Sequence, residues 1–545
     1  MLNKTKICNY LSVIYIMRFP KKMLLFLPCM FLILIFYSFN TENIFSKLKS
    51  LSLLLRIVDN YYVDEVELDQ IIDGAMHGLL EELDPHSQYI PAEDFKMMKE
   101  SLEGSFEGIG IEFAILEGYI TVVSPIPDTP SDRAGLIGGD KIVKINGESA
   151  YKIKQDEVFK KLRGPKNSTV EVTISRAGLE NPFNVTLTRD KIPIHSITAS
   201  FKYNHDLGYI KMNRFAQNTY KEFNSAIDSL QAAGMKKIIL DLRNNGGGLM
   251  DQAIEIVDMF INSNDTILFT KGRIYDANGV FFAHKNYNDN TMPIIVLINR
   301  ASASASEIVA GAFQDLDRGI VVGETSFGKG LVQKQFILDD ESAARITIAK
   351  YYTPSGRLIQ RDFSEGIDEY YLNLGEENRE VSDSLKNLLP KHKTKSGRMV
   401  YGGGGITPDV YQTSQMVNFT KDSQLLFSNP NRITFQFAHY IKPKIKITAF
   451  KKFIKLIKTN KINQISDELG DYNKFLDWIS LEYKDLELNY DNIKQDWPAI
   501  QNRILAEIAS SLWNKNAYYN VLLMEDLQFK IALENMQLAE SLIHN

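Results

Sequence analysis

Three serines stand on alternate positions in Arg300–Ile308, RASASASEI, and a glutamate follows them. They come after an apolar run, Ile294–Ile298, and before an apolar-periodic one, Ile308–Phe313, so the pattern predicts strand, tight connection, helix. Ser304 with Glu307 three residues on forms an S-x-x-E capping box, and capping alone would account for both residues. The same place suits a nucleophile, because the free N–H groups and positive potential of a helix amino terminus favour a developing anion. Small flanking alanines would admit a substrate closely. Spacing alone does not choose between cap and nucleophile, nor among Ser302, Ser304 and Ser306.

A serine nucleophile needs a base, and no histidine lies nearby. In Gly323–Gln333, GETSFGKGLVQ, a lysine sits between two glycines just after another apolar run. Gly323-x4-Gly328-Lys329 has the skeleton of a phosphate-binding loop, but Gly330 stands where a magnesium-holding hydroxyl is needed. A desolvated lysine can instead serve a serine as general base: burial disfavours the ammonium and draws its pKa from about 10.4 towards neutrality. Gln333, four residues on, could orient the amine by a hydrogen bond in a helical turn or folded strand. Oxyanion donors would come from the glycine run of DLRNNGGG, Asp241–Gly248, which by itself reads equally well as a turn or the start of a helix over Leu249–Phe260.

The elements that must carry these residues read as follows. Residues 45–100 have helical apolar spacing, broken at LDPHSQYIP, Leu83–Pro91, where two prolines stop a helix. From Gly104 the period shortens to strands, Gly108–Phe113, Tyr119–Ile126, Asp140–Gly147 and Ser168–Arg176, with one helix, DEVFKKL, among them. Residues 191–410 alternate strands (Lys236–Arg243, Met292–Asn299, Arg318–Glu324) with helices, the signature of an α/β fold. Beyond Asp409 the chain turns helical, with Trp497, Ile500, Ile504, Ile508 and Leu512 on one stripe that reads as core or as a dimer surface.

The chain of 545 residues carries a net charge of −5, yet residues 1–40 hold five basic groups and no acid, leaving −10 for the rest. The net negative charge of the body argues against nucleic acid, and no nucleic-acid partner is expected. Behind Lys21–Lys22 run 17 uncharged residues, Met23–Phe39, which read as an uncleaved signal or membrane anchor, basic end inside and body outside. Both cysteines, Cys8 and Cys29, lie in that segment, so the exported body has no thiol for disulfides, catalysis or zinc. The eight histidines are scattered, with no H-E-x-x-H pair, and no metal or cofactor is expected.

Eight stretches stand in order: LDPHSQYIP, FEGIGIEF, AGLIGGDKIVKING, DLRNNGGGL, SASASEIVAGAFQD, GETSFGKGLVQ, YYTPSGRLIQ and GGGGITPD. With them the chain resembles the carboxyl-terminal processing proteases, tail-specific serine peptidases of family S41 with a PDZ domain, over roughly residues 45–410. The resemblance implies a ClpP/crotonase-like α/β protease core at 191–410 and a β-rich PDZ domain at 104–190. Around them lie an anchor at 1–40, a helical region at 41–103 and a helical C-terminal extension at 411–545. It implies Ser304 as nucleophile, Lys329 as base and Gln333 as its assistant, with the backbone N–H groups of Ala305 and Gly247 as oxyanion donors. Gly108, Ile109, Gly110 and Ile111 would be the PDZ carboxylate-binding loop, Asp315 a structural residue, and Arg163 a reporter of PDZ occupancy to the active site. Substrates would be proteins or peptides with a free C-terminus, cleaved at the outer, periplasmic face of the inner membrane in the cell envelope. Homo-oligomers would form through the C-terminal helices. The competing reading is an exported PDZ scaffold with an inert protease half.

Overall fold

The computed structural model describes residues 26–284, 291–372 and 388–544. The chain forms two bodies, one up to Leu79 and one from Leu80 onward. The first is helical, with a helix over Phe26–Tyr61 and the start of a second, Leu68–Glu81. Residues 23–25 of the apolar run lie outside the described residues, and among those described no helix is long and apolar enough to cross a membrane.

In the second body, residues 111–188 build one antiparallel sheet. Its order is Ile111–Leu116, Tyr119–Pro125, Lys141–Ile145, Thr169–Ser175, Phe183–Thr188. Alternation along these strands sends Ile120, Val122, Ile142, Val172 and Ile174 into a core closed by Val158 of the helix Gln155–Leu162. Among the described residues, strand Ile111–Leu116 pairs on one side only, which leaves its outer edge open there.

The core of this body is a six-stranded sheet, β1 (Ile197–Lys202), β2 (Leu207–Met212), β3 (Lys237–Asp241), β4 (Ile294–Ile298), β5 (Ile320–Gly323) and β6 (Val410–Tyr411). The strands lie in that order, all parallel except β1. Every residue of β2 and β4 is buried, as parallel strands covered on both faces require. One face, with Ile238, Leu240, Val296 and Val321, packs on helices α1 (Thr219–Ala232), α2 (Met250–Asp258) and α3 (Ala305–Asp315). A second, antiparallel sheet centres on the long strand Ala343–Tyr352, which pairs with Leu331–Ile337, Thr266–Gly272 and Gln88–Ile90.

The extension divides in two. Helices from Lys421 to Leu522 enclose a core of their own around Phe437, Phe453, Phe475, Ile500, Ile504 and Ile508, so the stripe expected on Trp497–Leu512 is consumed internally. The last helices belong to the central sheet instead. Leu523, Phe529, Ala532, Met536 and Ala539 cover its other face, against Tyr209, Ile239, Ile295, Leu297 and Val322. Residues 411–545 are thus the expected helical extension, and their last helices are in addition part of the central fold. The doubly covered sheet needs helices on both faces, and α1–α3 supply only one.

Candidate active site

Three loops leave the carboxyl ends of adjacent parallel strands: the glycine run after β3, the serine turn after β4 and the lysine loop after β5. In open α/β sheets such ends form the ligand-binding crevice. The turn after β4 is sharp: Ser304 has φ 56° and ψ −113°, a conformation a non-glycine residue adopts at a cost of order 1–3 kcal/mol. Ser302 and Ser306 are wholly buried, and their hydroxyls donate to the carbonyls of Leu242 and Asn245, each at 2.9 Å. Ser304 is the partly exposed one. The alternation in RASASASEI thus divides two structural hydroxyls from a third at the mouth of the crevice.

The capping box forms, and Glu307 does more than close it. Its carboxylate, fully buried, accepts from the backbone N–H groups of Ser304 (2.7 Å), Gly328 (2.7 Å) and Lys329 (2.9 Å), and from the Ser326 hydroxyl. One oxygen, Oε2, serves both Ser304 and Lys329, so a single side chain ties the serine turn to the lysine loop. Burial pushes the Glu307 carboxyl up, and these donors pull it back.

Lys329 is half-buried, with its Nζ donating to Gln333 Oε1 at 2.7 Å. Burial and then the Arg345 guanidinium lower its pKa to about 8, against a smaller pull upward from Asp84 and Glu307. Gln333 lies in strand Leu331–Ile337 beside a bulge at Val332/Gln333, which re-aims the side chain. Its amide nitrogen donates to the His86 carbonyl. His86 is held in turn by LDPHSQYIP: Asp84 Oδ1 accepts from the N–H groups of His86 (2.8 Å) and Ser87 (2.9 Å), and Gln88–Ile90 adds as a strand. Because Lys329 leads into a strand and not a helix, this loop lacks the helix amino terminus of a phosphate cradle.

Ala305 is the first residue of α3, and among the described residues its N–H has no acceptor. Gly247 lies directly behind the serine: a Cβ there would sit 2.8 Å from Ser304 Cβ and 2.9 Å from Ala305 N, and its φ of 96° excludes most side chains. Its N–H, however, donates to Asn245 Oδ1 at 2.9 Å, so the expected pair of free donors is one free donor and one engaged. The cause is local, because Asn245 closes an Asx turn on the residue two positions on.

Gly108, Ile109 and Gly110 are buried, and Ile111 opens the edge strand. The carbonyls of Ile109 and Gly110 accept from Ser131 and Ile126, whereas the N–H groups of these two residues have no acceptor among the described residues. Among the described residues Arg163 makes no bond to Ser304, Lys329 or Gln333. Its guanidinium donates to Glu100 at 2.7 Å and lies over the rings of Phe106 and Phe159. Asp315 pairs with the buried Arg357 at 2.7 Å, at the far end of α3 from Ser304. Sequence reasoning found the wider part of neither Glu307 nor Asn245. A lone glutamate inside the otherwise apolar start of a buried helix, and a paired asparagine before a glycine run, were the available signals.

The family model for peptidase family S41 matches residues 206–369, and that for the PDZ domain matches residues 121–176. A carboxy-terminal-processing protease of Bartonella bacilliformis is 39% identical over 325 residues, 59% of this chain and 74% of that protein. The carboxy-terminal processing protease CtpA of Bacillus subtilis is 36% identical over 319 residues, 58% of this chain and 67% of that protein. Among solved structures, a photosystem II D1 C-terminal processing protease is 26% identical, with a TM-score of 0.35, covering 68% of this chain and 88% of that one. Spanning most of the length of both relatives, the chain belongs to the S41 carboxy-terminal processing proteases and carries a PDZ domain.

Proposed function

We propose that this chain is a serine endopeptidase that captures the free C-terminal tail of a protein or peptide on its PDZ domain. In this reading Ser304 is the nucleophile, Lys329 the base and Gln333 the residue that orients the amine. The observation that carries it is the Lys329 amine, lowered to about 8 and held by Gln333, in a loop tied by Glu307 to the strained Ser304 turn. Neutral Lys329 takes the Ser304 proton as Oγ attacks the scissile carbonyl. The oxyanion accepts from the Ala305 N–H and from the Gly247 N–H once Asn245 releases it. Collapse breaks the C–N bond, the Lys329 ammonium protonates the leaving amine, and water activated by Lys329 hydrolyses the ester. The tail's carboxylate bonds the open N–H groups of Ile109 and Gly110, and its backbone adds to the edge strand Ile111–Leu116.

The test offers the full chain an unfolded polypeptide with a free or amidated C-terminus. Wild type cleaves the free form, Ser304→Ala and Lys329→Ala lose about 10³-fold or more, and amidation slows cleavage. Undiminished cleavage by Ser304→Ala overturns the reading. A folded wild type that binds free tails without cutting them leaves the inert scaffold.

Residues 1–40 hold this activity at the outer face of the inner membrane, supported by the uncharged run behind its basic flank. Full chain recovered in the soluble fraction after cell lysis would overturn that placement. Pairing of copies through the C-terminal helices would have to use surface outside the Trp497–Leu512 stripe, whose Ile500, Ile504 and Ile508 are fully buried.

A further inference from the structure

We propose that the C-terminal helices position the catalytic turn: Asp526 and Gln528 hold Arg243, and through it the glycine loop behind Ser304. The inference rests on the protease reading above and adds a second set of residues to it.

Arg243 is gripped from two sides. Its Nε and Nη2 donate to Asp241, at the end of β3, over 2.6–3.1 Å. Its Nη1 donates to Asp526 Oδ1 at 3.0 Å and Gln528 Oε1 at 2.9 Å, 283 and 285 positions along the chain. Asp526 caps the helix Leu527–Glu534 by accepting the Phe529 N–H at 2.9 Å, and Phe529 is fully buried against the central sheet. Gln528 is fixed from its other end, its amide nitrogen donating to the Gln412 carbonyl at 2.8 Å. The clamp is therefore anchored at the start of a helix whose Phe529 packs on the central sheet.

What Arg243 carries is the approach to the serine. Two residues on, the Asn245 carbonyl accepts from the Ala303 N–H (3.0 Å) and the Ser306 hydroxyl (2.9 Å), and its side chain holds the Gly247 N–H. Asn244 exchanges two hydrogen bonds of 2.8 Å with Asn299, at the start of the serine turn. A displacement at Arg243 thus reaches Gly247 along the chain, and the serine turn through the Asn245–Ala303 backbone bond and the Asn244–Asn299 pair.

Charge makes the clamp more than packing. Two cations, Lys211 and Arg243, face two carboxylates, Asp241 and Asp526, with all four side chains less than a fifth exposed. Burial raises the Asp241 carboxyl, yet Arg243 and Lys211 outweigh it and hold it far below the usual range. Neutralising Asp526 leaves an excess buried cation, which water or a new partner must then satisfy. A cavity of about 320 Å³, lined by Arg243, Asp526 and Gln528 together with Met416 and Phe419, gives the guanidinium room to swing away.

The experiment uses the full chain, steady-state cleavage of a free-tailed peptide, and the rate at which a fluorophosphonate inactivates Ser304. Ser304→Ala, which should neither cleave nor react, anchors both assays. Asp526→Asn is expected to lower kcat and the inactivation rate together, by roughly 10- to 100-fold, since small misplacements at a reacting centre have effects of that size. KM should stay within about threefold, because tail capture lies on the PDZ domain. Asp526→Glu should recover part of the loss, and Gln528→Ala, which removes one neutral hydrogen bond, should lose less. If Asp526→Asn fails to fold, Gln528→Ala decides by the same two rates. Variants that fold and keep both rates within twofold of wild type overturn the inference and leave the protease reading intact. A wild type that neither cleaves nor reacts overturns both.

Discussion

At Lys329, burial and the neighbouring Arg345 both act against the ammonium, and the outcome is about 8 where a free lysine stands near 10.5. Only the free amine can take the serine proton, so the rate should rise with pH and reach half its plateau near pH 8. A pH–rate profile of kcat/KM checks this, and a profile still climbing past pH 10 would contradict it. Gln333 accepts a hydrogen bond from the amine and is braced by the His86 carbonyl, to which its amide nitrogen donates. Gln333→Ala should lower kcat by about 10- to 100-fold with little change in KM, measured on the peptide used above. Ser302 and Ser306 give their hydroxyls to buried carbonyls, so each change to alanine should lower stability by about 1–2 kcal/mol and leave folded enzyme active. Urea titration paired with activity per folded molecule separates these two serines from Ser304.

At the scale of elements, α3 and the loops around it act as one unit because Glu307 and Gly247 permit no slack. A methyl group at Gly247 would lie 2.7 Å from the Ala303 carbonyl oxygen, against backbone that cannot yield, and its φ is already positive. Gly247→Ala should therefore abolish cleavage while costing about 1–3 kcal/mol of stability. Glu307→Gln keeps the shape but puts an amide among four hydrogen-bond donors. The charge-assisted bonds that join Ser304 to Lys329 weaken, and kcat should fall by more than about 10-fold even where the variant folds. Recovery of full activity in that variant would mean the two loops are held together by other means.

Across the whole molecule, the buried His86 and the half-buried His439 weaken the fold in acid, while His195, raised by Glu222, acts the other way. His86 beside Lys329, and His439, whose ring lies on Gly139 of the small β-rich domain, are each lowered to about 4, chiefly by burial. Their unfolded values lie near 6.5, so between those limits the unfolded chain binds more protons and stability falls as pH drops. The loss is on the order of 3 kcal/mol per histidine across the full window. Melting temperatures between pH 7 and pH 5 should show it, and His439→Gln should flatten the slope. Deleting residues 523–545 strips one face of the central sheet, including Phe529 and Met536. That truncation should aggregate or unfold, whereas a detachable appendage would leave a soluble, active core.

Period and punctuation in the sequence determined the strands β3, β4 and β5, the small antiparallel sheet, the helix after the serine turn and the lysine between glycines. These are local properties, written in residues that neighbour one another in the chain. The sequence also placed a serine, a lysine and a glycine run just after three strands, which is where parallel topology gathers them. Spacing left open which of the three serines stands at the crevice; the resemblance pointed to Ser304, and the tertiary structure gives the physical reason, since the other two hydroxyls found carbonyls some 60 residues away. The tertiary structure alone engaged the Gly247 N–H, joined Ser304 to Lys329 through one carboxylate oxygen, and turned the last helices into half of the core. Each of these is a contact between segments far apart in the chain, set by how the sheet folds and by which buried polar groups then require partners.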